Sequence, residues 1–223
     1  MPTSQPHITL YIDTVSPFAY LAYHILRNDP LFTPISKTYT PIFLGGLMHK
    51  CGNTAPMRIL NKDKWINAER LRWARLFGVP MSQNLPPEFP ANTLGIMRAL
   101  CALSEGAGGQ GRLTEALDVL FRAYWVEGKR TFEGDVLRGM LAGIFGEAEA
   151  ERILADAKTV GKAKLLENTD KAFADGAFGL PWMVCTNAKG ETEGFWGVDH
   201  LGQVAQFMGL DHKGGEKGWK ALL

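Results

Sequence analysis

The chain has 223 residues, of which 46% are hydrophobic and 21% charged, so it can bury a sizeable core in one large domain or two small ones. A formal net charge of +1 disfavours a nucleic-acid-binding face, and no apolar run approaches the length of a membrane span. The three cysteines form no Cys-x-x-Cys pair and no zinc spacing, so we expect neither a dithiol centre nor a bound metal. Without a signal-peptide pattern, we expect an intracellular protein, with the cytoplasm favoured over mitochondria or peroxisomes.

The N-terminal part predicts a strand, a helix and a second strand. Apolar side chains alternate over residues 7–13, which indicates a strand, and an apolar-rich helix follows over residues 17–27. Residues 36–43 predict the second strand, in which Pro41 indicates an edge position or an early end. We expect the two strands to be parallel and joined by a right-handed crossover.

A long helical block separates this unit from a second group of strands. Helical spacing of apolar residues continues from about Leu47 to Phe178. Residues 182–186 and 192–196 then predict a hairpin, a last helix begins near Asp199, and we expect the tail beyond Asp211 to be loosely held.

Removing the helical block leaves the strand and helix order of a thioredoxin fold. We therefore predict an α/β protein with a thioredoxin-like domain of residues 1–46 and 162–223. A large all-helical domain of residues 47–161 would be inserted between the second strand and the second helix.

The junction Ser16-Pro17 lies where the first strand ends and the first helix begins. Serine is a preferred N-cap, and proline suits the first helical position. A helix N-terminus stabilises anions, including a thiolate, and a serine hydroxyl can donate a hydrogen bond to sulfur. Such a junction is more often only a cap, and without a Gly-x-Ser-x-Gly elbow a serine hydrolase is disfavoured.

Two further positions suggest a ligand site, each with a plain structural alternative. A cis bond at Leu180-Pro181 would turn a strand-like edge outward for a peptide-like ligand, although an ordinary trans proline is the more common case. Asp199, at a helix start, could bind a ligand ammonium or could serve only as a favourable acidic residue near the helix dipole.

Four stretches in register carry a resemblance to a known family. The chain resembles the kappa-class glutathione transferases and the related 2-hydroxychromene-2-carboxylate isomerases, within the DsbA-like branch of the thioredoxin superfamily. The stretches are Tyr11 to Leu21 with Ser16-Pro17, Gly45 to Pro56 with Gly52-Asn53, Gly176 to Pro181, and Phe195 to Leu201 with Gly197 and Asp199.

The resemblance implies roles for matching positions. Ser16 would be the catalytic residue that contacts the sulfur of glutathione, the co-substrate, with Asn53 assisting nearby. The backbone of Leu180, before Pro181, would pair with the cysteinyl unit. The remaining glutathione contacts would be Val198 through its amide and Asp199 at the γ-glutamyl end, and Lys62 near the glycyl carboxylate.

The space beyond the sulfur would be lined by apolar side chains, namely Phe18, Met48 and Trp182, which favours a small aromatic or apolar electrophile. Val198 departs from the small polar residue usual in the family, so we expect weaker binding of the γ-glutamyl carboxylate. The resemblance also implies a homodimer, with neither a nucleic acid nor a membrane as partner.

Three functions remain open on these residues. The favoured one is a kappa-class glutathione transferase that conjugates glutathione and possesses peroxidase activity towards hydroperoxides. The first alternative is the glutathione-dependent isomerase, which the basic residues Lys50 and Lys62 would suit because its substrate is an anion. The second is a DsbA-like binding module that retains the fold without catalysis.

Overall fold

The computed structural model describes residues 5–211 and Trp219. A four-stranded mixed sheet forms its centre, in the order β2-β1-β3-β4. The strands are β1 (His7–Ile12), β2 (Ser36–Pro41), β3 (Trp182–Thr186) and β4 (Thr192–Trp196). β1 and β2 are parallel and β2 is an edge strand, as predicted, while β3 is antiparallel to both β1 and β4.

Helices account for most of the rest of the described chain. They are α1 (Pro17–Asn28), α2 (Leu44–Lys50), α3 (Lys62–Phe77), α4 (Leu94–Glu105), α5 (Gly109–Trp125), α6 (Gly134–Phe145), α7 (Glu147–Asp156), α8 (Val160–Ala174) and α9 (Leu201–Phe207). Short 3₁₀ turns lie at Pro30–Phe32, Pro56–Arg58 and Val198–His200. The thioredoxin-like order of strands and helices with a helical insertion is confirmed, whereas the division into residues 1–46 with 162–223 and 47–161 stays a prediction.

Both faces of the sheet are covered by helices. Tyr11 and Trp182 lie directly opposite each other in register, so their side chains point to the same face. The Tyr11 hydroxyl donates to Asp175, just after α8, at 2.6 Å, which places α8 over that face. On the other face, Phe195 packs against Phe207 of α9 at 5.7 Å between ring centroids.

The structure differs from the prediction at the end of β2 and at the start of the last helix. β2 ends at Pro41, two residues before the end of the range 36–43, which is the early end that this proline indicates. The chain turns there into α2, and the Leu44 amide donates to Asp13 instead of to a strand. The last helix is preceded by the 3₁₀ turn that contains Asp199, and α9 itself begins at Leu201.

The C-terminal tail has one described anchor. Trp219 is buried, with its ring against Phe32 and Phe77 at 5.6 and 5.3 Å, and its indole N–H donates to Asp29 at 2.9 Å. Residues 212–218 and 220–223, for which the sequence predicts a loosely held tail, lie outside the described part of the chain. At Trp219 this prediction is wrong, because the indole is buried between two aromatic rings.

Candidate active site

Ser16 caps α1 as the sequence predicts. Its backbone is extended, with φ −86° and ψ 117°, and its Oγ accepts a hydrogen bond from the Ala19 amide at 3.1 Å. Capping uses a lone pair of the oxygen, so the hydroxyl proton remains available to donate to an anion placed before the helix. Ser16 can therefore be both a helix cap and a hydrogen-bond donor to a ligand.

The loop that carries Ser16 is anchored by the carboxylate of Asp13. Asp13 is fully buried and accepts from the Val15 amide at 3.1 Å, the Leu44 amide at 2.9 Å and the Thr93 hydroxyl at 2.7 Å. Burial raises the pKa of Asp13 to about 6, against the opposing effect of these three hydrogen bonds. At pH 7 the carboxylate is therefore mostly ionised and acts only as an acceptor.

Helices of the predicted insertion hold the next residue of this loop. The indole N–H of Trp125, on α5, donates to the Thr14 carbonyl at 2.9 Å. The Thr14 hydroxyl in turn contacts Sδ of Met97, on α4, at 3.9 Å. All four residues of the loop 13–16 are buried, so the position of Ser16 is set by packing on several sides.

The Leu180-Pro181 bond lies beside this loop and is cis. The register that pairs Tyr11 with Trp182 places the end of β1 next to the start of β3, where Pro181 lies. The Pro181 carbonyl accepts from the Gly197 amide at 3.0 Å. In contrast, no hydrogen bond within the described residues uses the Leu180 N–H or C=O, so both groups are available to a peptide-like ligand.

Asn53 lies against the segment that leads to this proline. Its side-chain amide donates to the Phe178 carbonyl at 2.8 Å, and Cys51 Sγ contacts the Ala177 carbonyl at 3.4 Å. Two residues just after α2 thus hold two consecutive carbonyls of the loop before Leu180. Met48, half-buried on α2, belongs to the same segment of chain.

The turn Val198–His200 completes the predicted glutathione site. α1 packs against this turn, and the Gly197–Pro181 hydrogen bond joins it to the cis proline. Gly197 has φ +94°, and a Cβ there would collide with Asp199 Oδ1, so the position requires glycine. Val198 is buried, whereas the Asp199 side chain is 60% exposed and can reach a ligand.

The other predicted site residues differ in their burial and in how near they lie to Ser16. Phe18 lies half-buried in the first turn of α1, beside Ser16. Lys62 is the exposed first residue of α3, and within residues 5–211 its side chain has no hydrogen bond or ion pair. Trp182 is only 9% exposed and packs against Phe178 on the face covered by α8, so its role as a pocket wall stays a prediction.

Sequence reasoning missed Thr93 and Trp125 as contributors to the site. Trp125 belongs to the apolar stripe of α5, which predicts core packing and gives no sign that its N–H reaches the Thr14 carbonyl. Thr93 precedes a helix, where threonine is usually a cap, but its hydroxyl instead donates to Asp13 across 80 residues of sequence. Both contacts depend on how the insertion folds back onto the loop that follows β1.

Two structural features are absent from the described residues. No cluster of three or more histidine, cysteine or acidic residues in the described part of the chain could hold a metal ion. Nor is any helix within residues 5–211 long and apolar enough to cross a membrane.

Comparison with known proteins supports the same fold and family. The family model for a DsbA-like thioredoxin domain matches residues 7–209. Glutathione S-transferase kappa 1 of Caenorhabditis elegans is 25% identical over 210 residues, covering 91% of each chain. The 2-hydroxychromene-2-carboxylate isomerase of Sphingobium xenophagum is 26% identical over 205 residues, covering 90% of this chain and 97% of the other.

A solved structure agrees with these sequence relatives. The structure of a 2-hydroxychromene-2-carboxylate isomerase superposes with a TM-score of 0.75 at 22% identity, covering 91% of this chain and 94% of the other. At that identity the likeness establishes the fold. With the family model spanning nearly the whole described chain, the protein belongs to the DsbA-like thioredoxin domain family.

Proposed function

We propose that this protein is a glutathione transferase of the kappa class, and that it activates the thiol of glutathione for attack on small aromatic or apolar electrophiles. The observation that carries the proposal is Ser16 at the capped start of α1, next to Leu180-Pro181, with no cysteine in the loop 13–16. A thioredoxin-like site that has no thiol of its own is suited to bind a ligand that carries a thiol.

Stabilisation of the sulfur anion follows from the geometry at Ser16. The hydroxyl proton is free to donate because the cap uses only a lone pair. The Phe18 amide is one of the first amides of α1, which lack intrahelical partners and give the helix end a partial positive charge. Both effects lower the pKa of a bound thiol from its usual value of about 8.5.

The rest of glutathione is a peptide with charged ends, and the surrounding groups match that chemistry. The unpaired N–H and C=O of Leu180 suit the cysteinyl backbone. The exposed Asp199 carboxylate suits the γ-glutamyl ammonium, and Lys62 would serve the glycyl carboxylate. Asn53 supports the site by holding the Phe178 carbonyl, in addition to any contact with the sulfur.

In the proposed reaction the bound thiolate attacks the carbon of an aryl halide. A carbon–sulfur bond forms, the carbon–halogen bond breaks, and the halide ion leaves with the electron pair. The thiol proton goes to solvent when the thiolate forms. Phe18 and Met48 would provide the apolar surface for the ring, in agreement with their partial burial near α1 and α2.

A second candidate, the glutathione-dependent isomerase, has specific support. The match to an isomerase relative covers 97% of that protein at 26% identity. Lys62, which is unpaired within residues 5–211, would in this candidate serve the anionic substrate instead of the glycyl carboxylate of glutathione. Lys50 is less suited, since its ammonium pairs with Asp170 at 2.5 Å. Spectral conversion of 2-hydroxychromene-2-carboxylate would favour this candidate over the transferase.

The test compares wild type with Ser16→Ala, and with Ser104→Ala as a serine control away from the site. Turnover of glutathione with a chromogenic aryl halide should fall roughly 100-fold in Ser16→Ala, as expected for loss of a donor to a developing anion. Loss of the cap should cost only about 1 kcal/mol of stability. The pKa of the bound thiol, followed by thiolate absorbance, should rise in this variant alone.

Two results would contradict the proposal. One is wild-type protein without turnover and without a glutathione-dependent rise in Tm, which would favour the binding module. The other is a Ser16→Ala variant that retains both wild-type rate and wild-type thiol pKa. A homodimer is also part of the proposal, and light scattering after gel filtration should give twice the 24.6 kDa of the chain.

A further inference from the structure

We infer that Asp13 is a positioning residue that sets Ser16 relative to α2, and that Thr93 is the partner through which the helical insertion controls it. The inference rests on the proposed function for its catalytic consequence, but its structural core stands on the contacts of one buried carboxylate. Those contacts bring three separate parts of the chain to a single point.

The first observation is that Asp13 joins the starts of three helices. Val15 lies just before α1, Leu44 is the first residue of α2, and Thr93 immediately precedes α4. All three donate to the same carboxylate, at 3.1, 2.9 and 2.7 Å. A change at Asp13 therefore affects both the Ser16 loop and the segment that bears Met48.

The second observation is that nothing else neutralises this carboxylate. No lysine or arginine within residues 5–211 forms an ion pair with it, and its side chain is fully buried. A buried anion persists only when hydrogen bonds replace its water, so each of the three donors matters. Thr93, itself buried, uses its hydroxyl here rather than to cap α4.

The third observation is that both the backbone and the side chain of Asp13 hold the turn that leads to Ser16. The Ser16 amide donates to the Asp13 carbonyl at 3.1 Å, while the Asp13 carboxylate holds Val15, one of the two residues between them in the loop. The turn from Asp13 to Ser16 is thus fixed from both the backbone and the side chain of Asp13. Moving the carboxylate would move the Ser16 hydroxyl with it.

The test uses Asp13→Asn and Thr93→Val, with Thr93→Ser as the conservative rescue. Thr114→Val is the matched control, because Thr114 is also buried but its hydroxyl donates only within α5. Hydrogen exchange of the Val15 and Leu44 amides should speed up about tenfold in Asp13→Asn, as expected for a lost hydrogen bond to a charged group. Thr93→Val should shift the same amides, whereas Thr93→Ser and Thr114→Val should not.

A catalytic readout separates positioning from simple loss of stability. In Thr93→Val the pKa of bound glutathione should rise and kcat should fall about tenfold with little change in KM, because the sulfur's donor is displaced while the peptide contacts remain. Thr93→Ser should restore both values. Thr114→Val should leave both at the wild-type level even if its Tm falls.

Failure of this inference is distinguishable from failure of the proposed function. If wild-type protein binds no glutathione thiolate, the function is wrong, but the exchange rates of Val15 and Leu44 still test Asp13. Wild-type exchange of these amides in both Asp13→Asn and Thr93→Val would overturn the inference. So would a thiol pKa that Thr93→Val and Thr114→Val change equally, or that Thr93→Ser fails to restore.

Discussion

The loop 13–16 and the open segment 51–65, which runs from the end of α2 into the first turn of α3, both carry predicted site residues, yet they are built in opposite ways. The loop is buried at every residue and held by the side chains of Thr93, just before α4, and Trp125, on α5. In the other segment Asn53 is exposed, Leu60 is 92% exposed and Lys62 has no partner within residues 5–211. The part that would hold the sulfur is fixed before any ligand arrives, whereas the part proposed to face the glycyl end of glutathione is open.

This contrast predicts that substitutions in the loop change the free energy of unfolding and the pKa of the bound thiol. Substitutions in the open segment should change only the affinity for glutathione, and by less. A preorganised donor costs no rearrangement when the anion forms. An exposed cation contributes little, and salt screens what it contributes.

The largest expected effect is on the pH dependence of stability. The folded pKa of Asp13 is about 6, raised by burial from a usual 3.8, so the folded chain retains a proton that the unfolded chain has released between these values. The free energy of unfolding should therefore fall as the pH rises from about 4 to above 6, by about 3 kcal/mol. Denaturant titrations at several pH values measure this slope.

The control for the pH dependence is Asp13→Asn. This variant should be less stable overall, but its free energy of unfolding should lack the fall between about pH 4 and about pH 6 that Asp13 causes. The other groups near the carboxylate are the two amides, the Thr93 hydroxyl and Tyr124. Burial, with a smaller contribution from the Asp13 charge, raises the pKa of Tyr124 to about 12, so Tyr124 does not titrate in this window. If wild type and Asp13→Asn showed the same pH dependence of stability, other residues would be its cause.

A smaller effect is expected for Trp125→Phe. The substitution leaves the buried Thr14 carbonyl without its donor and removes part of a fully buried ring, so unfolding should be easier by about 2 kcal/mol. Trp65→Phe is the matched change in the open region, where the ring is 56% exposed, and it should cost less than about 0.5 kcal/mol. Equal costs would remove the contrast between the two regions.

Asn53→Ala should have a modest effect that appears mainly in binding. Loss of the hydrogen bond to the Phe178 carbonyl loosens the segment before Leu180, so KM for glutathione should rise about threefold to tenfold with little loss of stability. Cys51→Ser is the companion change, since a serine hydroxyl can still donate to the Ala177 carbonyl. It should leave KM near the wild-type value, and a larger rise there than in Asn53→Ala would contradict this account.

The smallest effect is expected for Lys62→Ala. If Lys62 faces the glycyl carboxylate, affinity for glutathione should fall about two- to threefold at low salt and recover towards wild type at high salt. Lys64→Ala, an exposed lysine two residues further along α3, should not change affinity. Calorimetry at two salt concentrations distinguishes the two variants. Equal losses of glutathione affinity would mean that only the overall charge of the protein affects binding.

Much of the fold could be predicted because its signals are local. Alternation in β1, the breaks around β3 and β4 and the stripe of α5 fix the elements, and the position of Pro41 indicates an edge strand. Ser16 was found as a cap because proline follows it, and the cap geometry confirms that part of the prediction.

The contacts that set the Ser16 loop could not be predicted in the same way. Thr93 and Asp13 are 80 residues apart, and Trp125 and Thr14 are 111 apart, so no local pattern links them. Each residue also has an ordinary local explanation, a cap for Thr93 and a core position for Trp125. Only the tertiary structure, in which α4 and α5 pack beside β2, shows that one hydroxyl and one indole N–H are directed at the loop.

These long-range contacts have a consequence for folding and for protein engineering. The segment between α2 and α8 is continuous in sequence, which suggests a cassette that could be cut out or replaced. Excision would leave a buried carboxylate without its hydroxyl donor and the Thr14 carbonyl without its indole donor, inside the core of the part that remained. We expect the two parts to melt in one cooperative transition, and a graft of the loop 13–16 onto a minimal thioredoxin scaffold to require Thr93, α4 and α5 as well.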